Sequence, residues 1–292
     1  SMNSLEFTRF PELSYSVTEA VNTLCTNLMF LGKDKKKIMM TSCHASEGKS
    51  FMSLCLLRTL ASLGKSVVLV DADLRRSQSA AVYGMRMHSE NRYGTTHYLA
   101  GMCEAEDVVY TTDVPNAYLV PVGRTVTNSL QLLTNSRLSE LLAKLEKTYD
   151  YVLVDAPPVG VIIDAAMIAN ICDGTLFVVT NEMVSKRELV SAVQQIQKSG
   201  CTVLGVILNK VEMDTHKSKK YYYKSYYSHY QSSEYRPSEE QQEKKAVPPT
   251  GASRRMQQEK PRNAMAGARP PQKPQNSHQQ GQGAPGQYSN EQ

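Results

Sequence analysis

The four residues Glu47-Gly48-Lys49-Ser50 are the first in this chain whose types and spacing could do chemistry. Gly-Lys-Ser ahead of a helical segment is the closing half of a phosphate-binding loop. Such a loop turns backbone N–H groups inward at a helix N-terminus, sets a lysine against the outer phosphates and offers a hydroxyl to Mg²⁺. The usual spacing, GxxxxGK[ST], would place a first glycine at position 43, where this chain has Cys43. By the bare pattern the match is incomplete, and a chance Gly-Lys-Ser before a helix is the competing reading. Three aspartates decide between them. The apolar run Val67–Val70 ends in Asp71-Ala72-Asp73-Leu74-Arg75-Arg76, and Val152–Val154 ends in Asp155-Ala156-Pro157-Pro158. Apolar strands ending in aspartate deliver carboxylates to the C-terminal edge of a parallel sheet, where ligands bind in open α/β folds. Carboxylates at that edge can hold Mg²⁺, which takes oxygen ligands and phosphates. A single strand-end aspartate is as easily a helix cap. Three of them beside one loop favour the metal.

These residues need a scaffold, and the pattern before residue 212 supplies one. Short apolar, β-branched runs lie at 37–41, 66–71, 117–122, 151–155, 175–180 and 203–209. Segments of helical period fall between them at 51–63, 137–146, 164–170 and 186–198. Strand–helix alternation with near-continuous apolar strands predicts an α/β fold, a parallel sheet with helices on both faces. Residues 17–31 read as a preceding helix, with Ser16 as cap and Glu19 three residues later. No internal repeat is present. The chain has no run of 18 apolar residues and no charged-then-apolar leader, which predicts neither a membrane span nor a secretory signal. Six scattered cysteines without a CxxC pair exclude a zinc ribbon or disulfide scaffold and fit a reducing cytosol.

Composition changes sharply beyond residue 212. Residues 236–292 hold 8 of the 13 prolines and 11 glutamines, with no Leu, Ile, Phe or Trp. Such a stretch buries too little apolar surface to offset its ordering entropy and reads as a disordered tail. It carries nine Lys and Arg against five Asp and Glu, so most of the chain's formal +5 lies there. Just before it, residues 221–235 contain seven of the 16 tyrosines: Tyr221, Tyr222, Tyr223, Tyr226, Tyr227, Tyr230 and Tyr235. With Lys217, Lys219, Lys220 and Arg236 around them and no aliphatics, they do not make a core. A stacking platform for single-stranded nucleic acid is an alternative use of tyrosine beside lysine.

Together, the Gly-Lys-Ser loop, VDADLRR, VLVDAPP and the tyrosine-rich segment resemble the bacterial tyrosine kinases, relatives of the MinD/ParA-type P-loop ATPases. The resemblance spans roughly residues 15–235 and includes Leu99-Ala100-Gly101 and Asp113-Val114-Pro115-Asn116. The family's Walker A motif reads S-x-x-P-G-E-G-K-S/T. Ser42, Glu47, Gly48, Lys49 and Ser50 match it, while Ala45 and Ser46 replace Pro and Gly. DADLRR resembles the family's Walker A′ and VLVDAPP its Walker B. The resemblance implies ATP and Mg²⁺ as cofactors, and protein-tyrosine kinase activity. It implies a nucleotide site from Ser46, Glu47, Gly48, Lys49, Ser50, Phe51 and Asn209. Lys49 would stabilise the transferred phosphoryl group and Asp71 would accept the tyrosine proton. Ser50 and Asp73 would hold Mg²⁺, with Asp155 close behind, through water.

The implied organisation is a P-loop kinase domain over 1–215, an autophosphorylated tyrosine cluster over 216–235 and the Pro/Gln-rich tail over 236–292. From Lys210 the chain reaches Tyr221 within about 35–40 Å, so its own site and a neighbour's are both in range. The family implies the neighbour. The family's first helix carries E-x-x-R-x-x-R for packing subunits into a ring; here Glu19 remains, while Asn22 and Cys25 replace the arginines, which predicts weaker or rebuilt self-association. Without a membrane segment, the resemblance is to the Gram-positive arrangement. It implies a cytoplasmic kinase recruited to the inner face of the membrane by an activator of the polysaccharide co-polymerase type. A cognate tyrosine phosphatase, no nucleic acid, and control of capsular or exopolysaccharide synthesis follow from the same resemblance. Two rival readings remain: a ParA/MinD-like positioning ATPase, and a non-catalytic nucleotide-binding scaffold. The absence of a signature lysine near the loop start in SCHASEGKS disfavours the first, and intact Lys49, Ser50, Asp71, Asp73 and Asp155 disfavour the second. Because lysine truncation opens no core cavity, Lys49→Met is expected to abolish phosphotyrosine and leave the fold intact.

Overall fold

A computed structural model describes residues 3–160, 163–180 and 183–210. The expected domain boundary at 215, the tyrosine cluster and the tail lie outside the described residues. In chain order the first elements are β1 (Ser4–Phe7), α1 (Tyr15–Phe30), β2 (Lys37–Ser42), α2 (Lys49–Ser62), β3 (Val67–Asp71), α3 (Ser79–Val82) and β4 (Met85–His88). Then come α4 (Thr95–Leu99), α5 (Ala105–Val108), β5 (Tyr110–Thr112), β6 (Ala117–Val120), α6 (Ser129–Leu133) and α7 (Arg137–Thr148). The last are β7 (Tyr151–Asp155), α8 (Asp164–Asn170), β8 (Gly174–Thr180), α9 (Lys186–Lys198) and β9 (Val203–Asn209). No helix among the described residues is long and apolar enough to cross a membrane.

All six expected strands form. They are neighbours in one sheet of order β4-β1-β5-β6-β3-β7-β2-β8-β9, and from β6 to β9 every pairing is parallel. The sheet is nevertheless mixed. Pairs β1–β4 and β5–β6 are antiparallel, and β1, β4 and β5 were not expected from the sequence. They are three or four residues long, and β4 alternates half-buried with exposed side chains, so no apolar run marks them.

The central strands are buried on both faces, and their side chains alternate between two cores. Val68, Val70, Val152, Val154 and Phe177 pack with α4 to α9 on one face. Ile38, Met40, Leu69, Leu153 and Val178 pack under α1 and α2 on the other. Helix α1 buries Val21, Cys25 and Leu28, one stripe at helical spacing. Its cap is Ser14, whose hydroxyl accepts from the Val17 N–H, and not Ser16 as the capping-box pattern suggested. The same stripe says what occupies the two positions where the family has arginines. Cys25 is fully buried, close enough to Cys55 of α2 to help push its thiol up, behind the larger effect of burial. An arginine there would have to enter the core, so position 25 of this chain is a packing position. Asn22 is half-buried and donates to Glu19.

The parallel register fixes the functional edge. Asp71 of β3 is directly paired with Asp155 of β7, and Met40 of β2 pairs with Asp155 from the other side. β3 and β7 therefore finish at one level, and β2 runs two residues past it, to Ser42, before the segment that leads into α2 begins. Leu153, at the middle of β7, has no solvent exposure. Leu153→Ala is expected to cost about 2–5 kcal/mol through lost burial and a residual cavity. Urea denaturation checks this as a shift in midpoint at unchanged slope.

Candidate active site

The loop Cys43–Gly48 turns from β2 into α2 through two left-handed residues, Ser46 (φ 64°) and Gly48 (φ 85°). Gly48 is the N-cap of α2. A Cβ on it would also lie 2.0 Å from the Asn209 amide nitrogen, so both backbone conformation and space require glycine. Ser46 occupies the left-handed region as a non-glycine residue, at the position where the resembled motif has glycine.

The side chain of Glu47 points into the protein and is fully buried. Its carboxylate accepts from the His44 N–H at 2.7 Å and from the Thr180 N–H at 3.0 Å. The Asn209 amide donates to the Glu47 carbonyl at 3.0 Å, and Lys210 Nζ to the Ser46 carbonyl at 3.1 Å. Glu47 and Asn209 thus brace the loop from behind, tying it to β8 and β9. Phe51, one position past Ser50, lines both the cleft in front of the loop and a neighbouring groove of about 680 Å³ that reaches Asn209.

In front of the loop lies a cleft of about 330 Å³, walled by Ser46, Gly48, Lys49, Ser50 and Phe51 on the loop side and by Asp73, Arg75, Arg76 and Ser77 after β3. Tyr83, Pro157 and Pro158 also line it. Lys49 is buried, and its ammonium donates to Asp155 at 2.6 Å and stands 3.9 Å from Asp73. Burial pulls the Lys49 pKa down, but Asp155 and Asp73 outweigh it and the net shift is upward. Lys49 is therefore held charged. Asp155 also accepts from Ser53. Asp71 accepts from the Ser77 hydroxyl and from the Asp73 N–H. Burial, then the charge of Asp155, push the Asp71 carboxyl up to about 7. Asp73 is raised too, by burial first, and accepts from the Arg76 N–H at 3.2 Å.

The structure thus brings together Lys49, Ser50, Asp71, Asp73 and Asp155, the residues that sequence reasoning singled out on three separate segments. It sets Glu47 and Asn209 behind the loop, not in the cleft. It adds residues that carried no assignment: Ser53, Ser77 and Tyr83 were unmarked, and Arg75 and Arg76 stood in VDADLRR without a role. Serines and a tyrosine carry no pattern of their own; only the fold makes them neighbours. Among the described residues no three His, Cys, Asp or Glu side chains form a ready metal cage. Mg²⁺ takes hard oxygen ligands, keeps several waters and binds one or two carboxylates plus phosphates. The donors here are all hard oxygens: the Ser50 hydroxyl and the Asp73 carboxylate at the cleft, with Asp155 behind Lys49.

Parallel central strands with a phosphate loop, its lysine and strand-end carboxylates in one cleft define a P-loop nucleotide-binding protein. Residues 35–205 match the AAA domain family. The chain is 35% identical over 193 residues to the tyrosine-protein kinase CpsD of Streptococcus agalactiae, covering 66% of this chain and 82% of that protein. The kinase domain of the Escherichia coli tyrosine kinase ETK superposes with a TM-score of 0.62 at 30% identity, covering 67% of this chain and 76% of that one. The chimerical protein CapA2B2 gives 0.61 at 25% identity, covering 66% and 84%. MinD from Pyrococcus horikoshii, solved with Mg-ADP, gives 0.52 at 24% identity over 63% and 76%, a likeness of fold alone. The chain belongs to the bacterial tyrosine kinase family.

The buried charges also bear on stability, and they revise the expectation that Lys49→Met is silent there. Lys49 is the cation lodged among Asp71, Asp73 and Asp155, and removing one partner of a buried pair is costly. Lys49→Met is expected to lower stability on the order of 3 kcal/mol near pH 8, and less at lower pH, where Asp71 and Asp73 take up protons. Asp71→Asn should act the other way. The folded Asp71 holds its proton up to about 7 and the unfolded one only to about 3.8. Stability therefore falls as pH rises through that window, and the full cost is present above it. The variant should melt higher than the unaltered protein near pH 8, with the gain fading toward pH 4. Calorimetric melts across pH check both signs.

Proposed function

We propose that this chain is an ATP-dependent protein-tyrosine autokinase that phosphorylates its own cluster, from Tyr221 to Tyr235, between neighbouring copies. The observation that carries the reading is the meeting of Lys49, Ser50, Asp71, Asp73 and Asp155 in one cleft. The family membership gives that cleft its reaction class. Phosphoryl transfer demands mainly positioning and charge stabilisation. In the transfer the bond between the γ-phosphorus and its bridging oxygen breaks, and ADP keeps the electron pair. The phenol oxygen forms the new bond, and its proton passes to Asp71. A carboxylate raised to about 7 suits that role, because a base works best with a pKa near the working pH. Lys49 releases Asp155 to meet the outer phosphate oxygens. Loop N–H groups from Ser46 to Ser50 cradle the phosphates, braced by Glu47 and Asn209, with Phe51 beside the nucleotide. Ser50 and Asp73, with Asp155 behind, would hold Mg²⁺, which when bound would neutralise phosphate charge.

The same reading assigns residues 1–215 to the kinase domain, 216–235 to its substrate and 236–292 to a tail. The likeness to CpsD supports a part in capsular or exopolysaccharide synthesis. The likeness to a chimerical protein supports a kinase that works with a second component, here a membrane activator of the polysaccharide co-polymerase type. That activator would recruit a cytoplasmic kinase to the inner face of the membrane. A tyrosine phosphatase would reset the cluster.

Incubation of the full chain with ATP and Mg²⁺, alone and with candidate activator tails, followed by mass spectrometry, should place phosphotyrosine within 221–235. Lys49→Met should abolish it; persistent labelling in that variant would show that another site does the chemistry. The pH profile of kcat/KM should fall on the acid side through about 7 as Asp71 takes up a proton. Asp71→Asn should leave Mg²⁺–nucleotide affinity in place and remove most of the rate, whereas Asp73→Asn should weaken that affinity, since the cation loses a charged ligand. Equal nucleotide affinities in the two variants would undo this division of roles.

A further inference from the structure

We propose that Arg75 is a further catalytic residue, contacting the phosphoryl group in transit, and that Ser129 and Asp164 hold it there. The inference rests on the kinase reading above. Arg75 lines the same cleft as Lys49, Ser50 and Asp73. The charge of Lys49 is already engaged by Asp155 and Asp73. Arg75 is differently placed. Its Nε donates to the Ser129 hydroxyl at 2.6 Å and lies 3.4 Å from Asp164 Oδ2. The Ser129 hydroxyl in turn donates to that same carboxylate oxygen. Ser129 and Asp164 are buried, whereas the Arg75 side chain is 32% exposed, so the guanidinium runs from a buried anchor to the cleft wall.

Two details separate this from a structural ion pair. Arginine and carboxylate favour a fork-to-fork pairing that uses both oxygens. Here every described contact of the guanidinium runs through Nε, and Asp164 Oδ1 is buried with no partner among the described residues. A half-satisfied buried carboxylate calls for an explanation. The arrangement supplies one: it fixes the Nε edge and leaves the two Nη groups, the pair of donors that matches two oxygens of a phosphoryl group. Such an arginine supplies charge where it develops in phosphoryl transfer. Arg76 lines the same cleft, but its described anchor is the backbone N–H on Asp73, not the side chain.

The test uses the full chain carrying Arg75→Ala, Arg75→Lys or Asp164→Asn. Arg75→Ala should keep its affinity for Mg²⁺–ADP within about threefold and lose on the order of 10²-fold in kcat. It should lose most of the extra affinity that fluoroaluminate, a mimic of the transferring group, confers on bound ADP. Added guanidinium should restore part of its labelling, and Arg75→Lys should recover little, since a point charge lacks the fork. Asp164→Asn should lower kcat about tenfold at unchanged KM for ATP, and have no further effect when Arg75 is already alanine. If Arg75→Ala loses its cooperative melt, Arg75→Gln takes its place. Tight ADP–fluoroaluminate binding without Arg75 overturns the catalytic role. An equal loss from Asp164→Asn with and without Arg75 overturns the positioning role. An unaltered protein that binds ADP–fluoroaluminate yet labels no tyrosine overturns the kinase reading instead.

Discussion

The site depends on one electrostatic constraint. Two parallel strands end in register with aspartates side by side, Asp71 against Asp155, and a third carboxylate, Asp73, follows two residues later. Three buried acids within one edge repel one another, and Asp71 and Asp73 resist losing their protons. The ammonium of Lys49, 2.6 Å from Asp155, makes the arrangement tolerable. Lys49 can sit there because Gly48, in a left-handed conformation that a side chain would block, starts α2 at that point. The loop therefore answers to the strand ends as much as to the nucleotide. Its lysine serves the oxygens of Asp155 and Asp73, and under the kinase reading it serves the substrate's phosphate oxygens as well.

Much of this was legible in the residues themselves. Runs such as Val67–Val70 and Val152–Val154, each closed by aspartate, give both the parallel strands and the edge where their carboxylates appear, because a doubly buried strand is apolar throughout. Gly48-Lys49-Ser50 gives the turn into α2. The edge strands were hidden for the opposite reason. Ser4–Phe7 and Met85–His88 are short and half-exposed, and they are strands only because they pair, Ser4–Phe7 with Met85–His88 on one side and with Tyr110–Thr112 on the other. Pairing is a property of two segments, and local pattern reports on one. Cys25 shows a different limit. Alignment to a motif set it against the family's ring-forming arginines, whereas the structure buries it in one stripe with Val21 and Leu28. A motif carries a family's contact, and the burial of this helix is a property of this chain's own packing.

The roles of Ser77, Ser129 and Asp164 were not legible at all. Ser129 lies 54 positions from Arg75 and 35 from Asp164. Their hydrogen bonds arise only after the sheet brings the segment following β3 against the starts of α6 and α8. Sequence marks the charges that do chemistry. It does not mark the neutral groups that aim them, since serine is common everywhere on a chain.

The bracing behind the phosphate loop has a mechanical consequence. Glu47 ties the loop to Thr180 at the end of β8, while Asn209 and Lys210, at the end of β9, hold the carbonyls of Glu47 and Ser46. Lys210 is also the residue from which the chain runs on toward its tyrosines. The phosphate loop and the strand end that leads to the tyrosine-rich segment are thus one lever, pinned at two carbonyls. Whatever moves the first residues of that lever moves the root of the other arm.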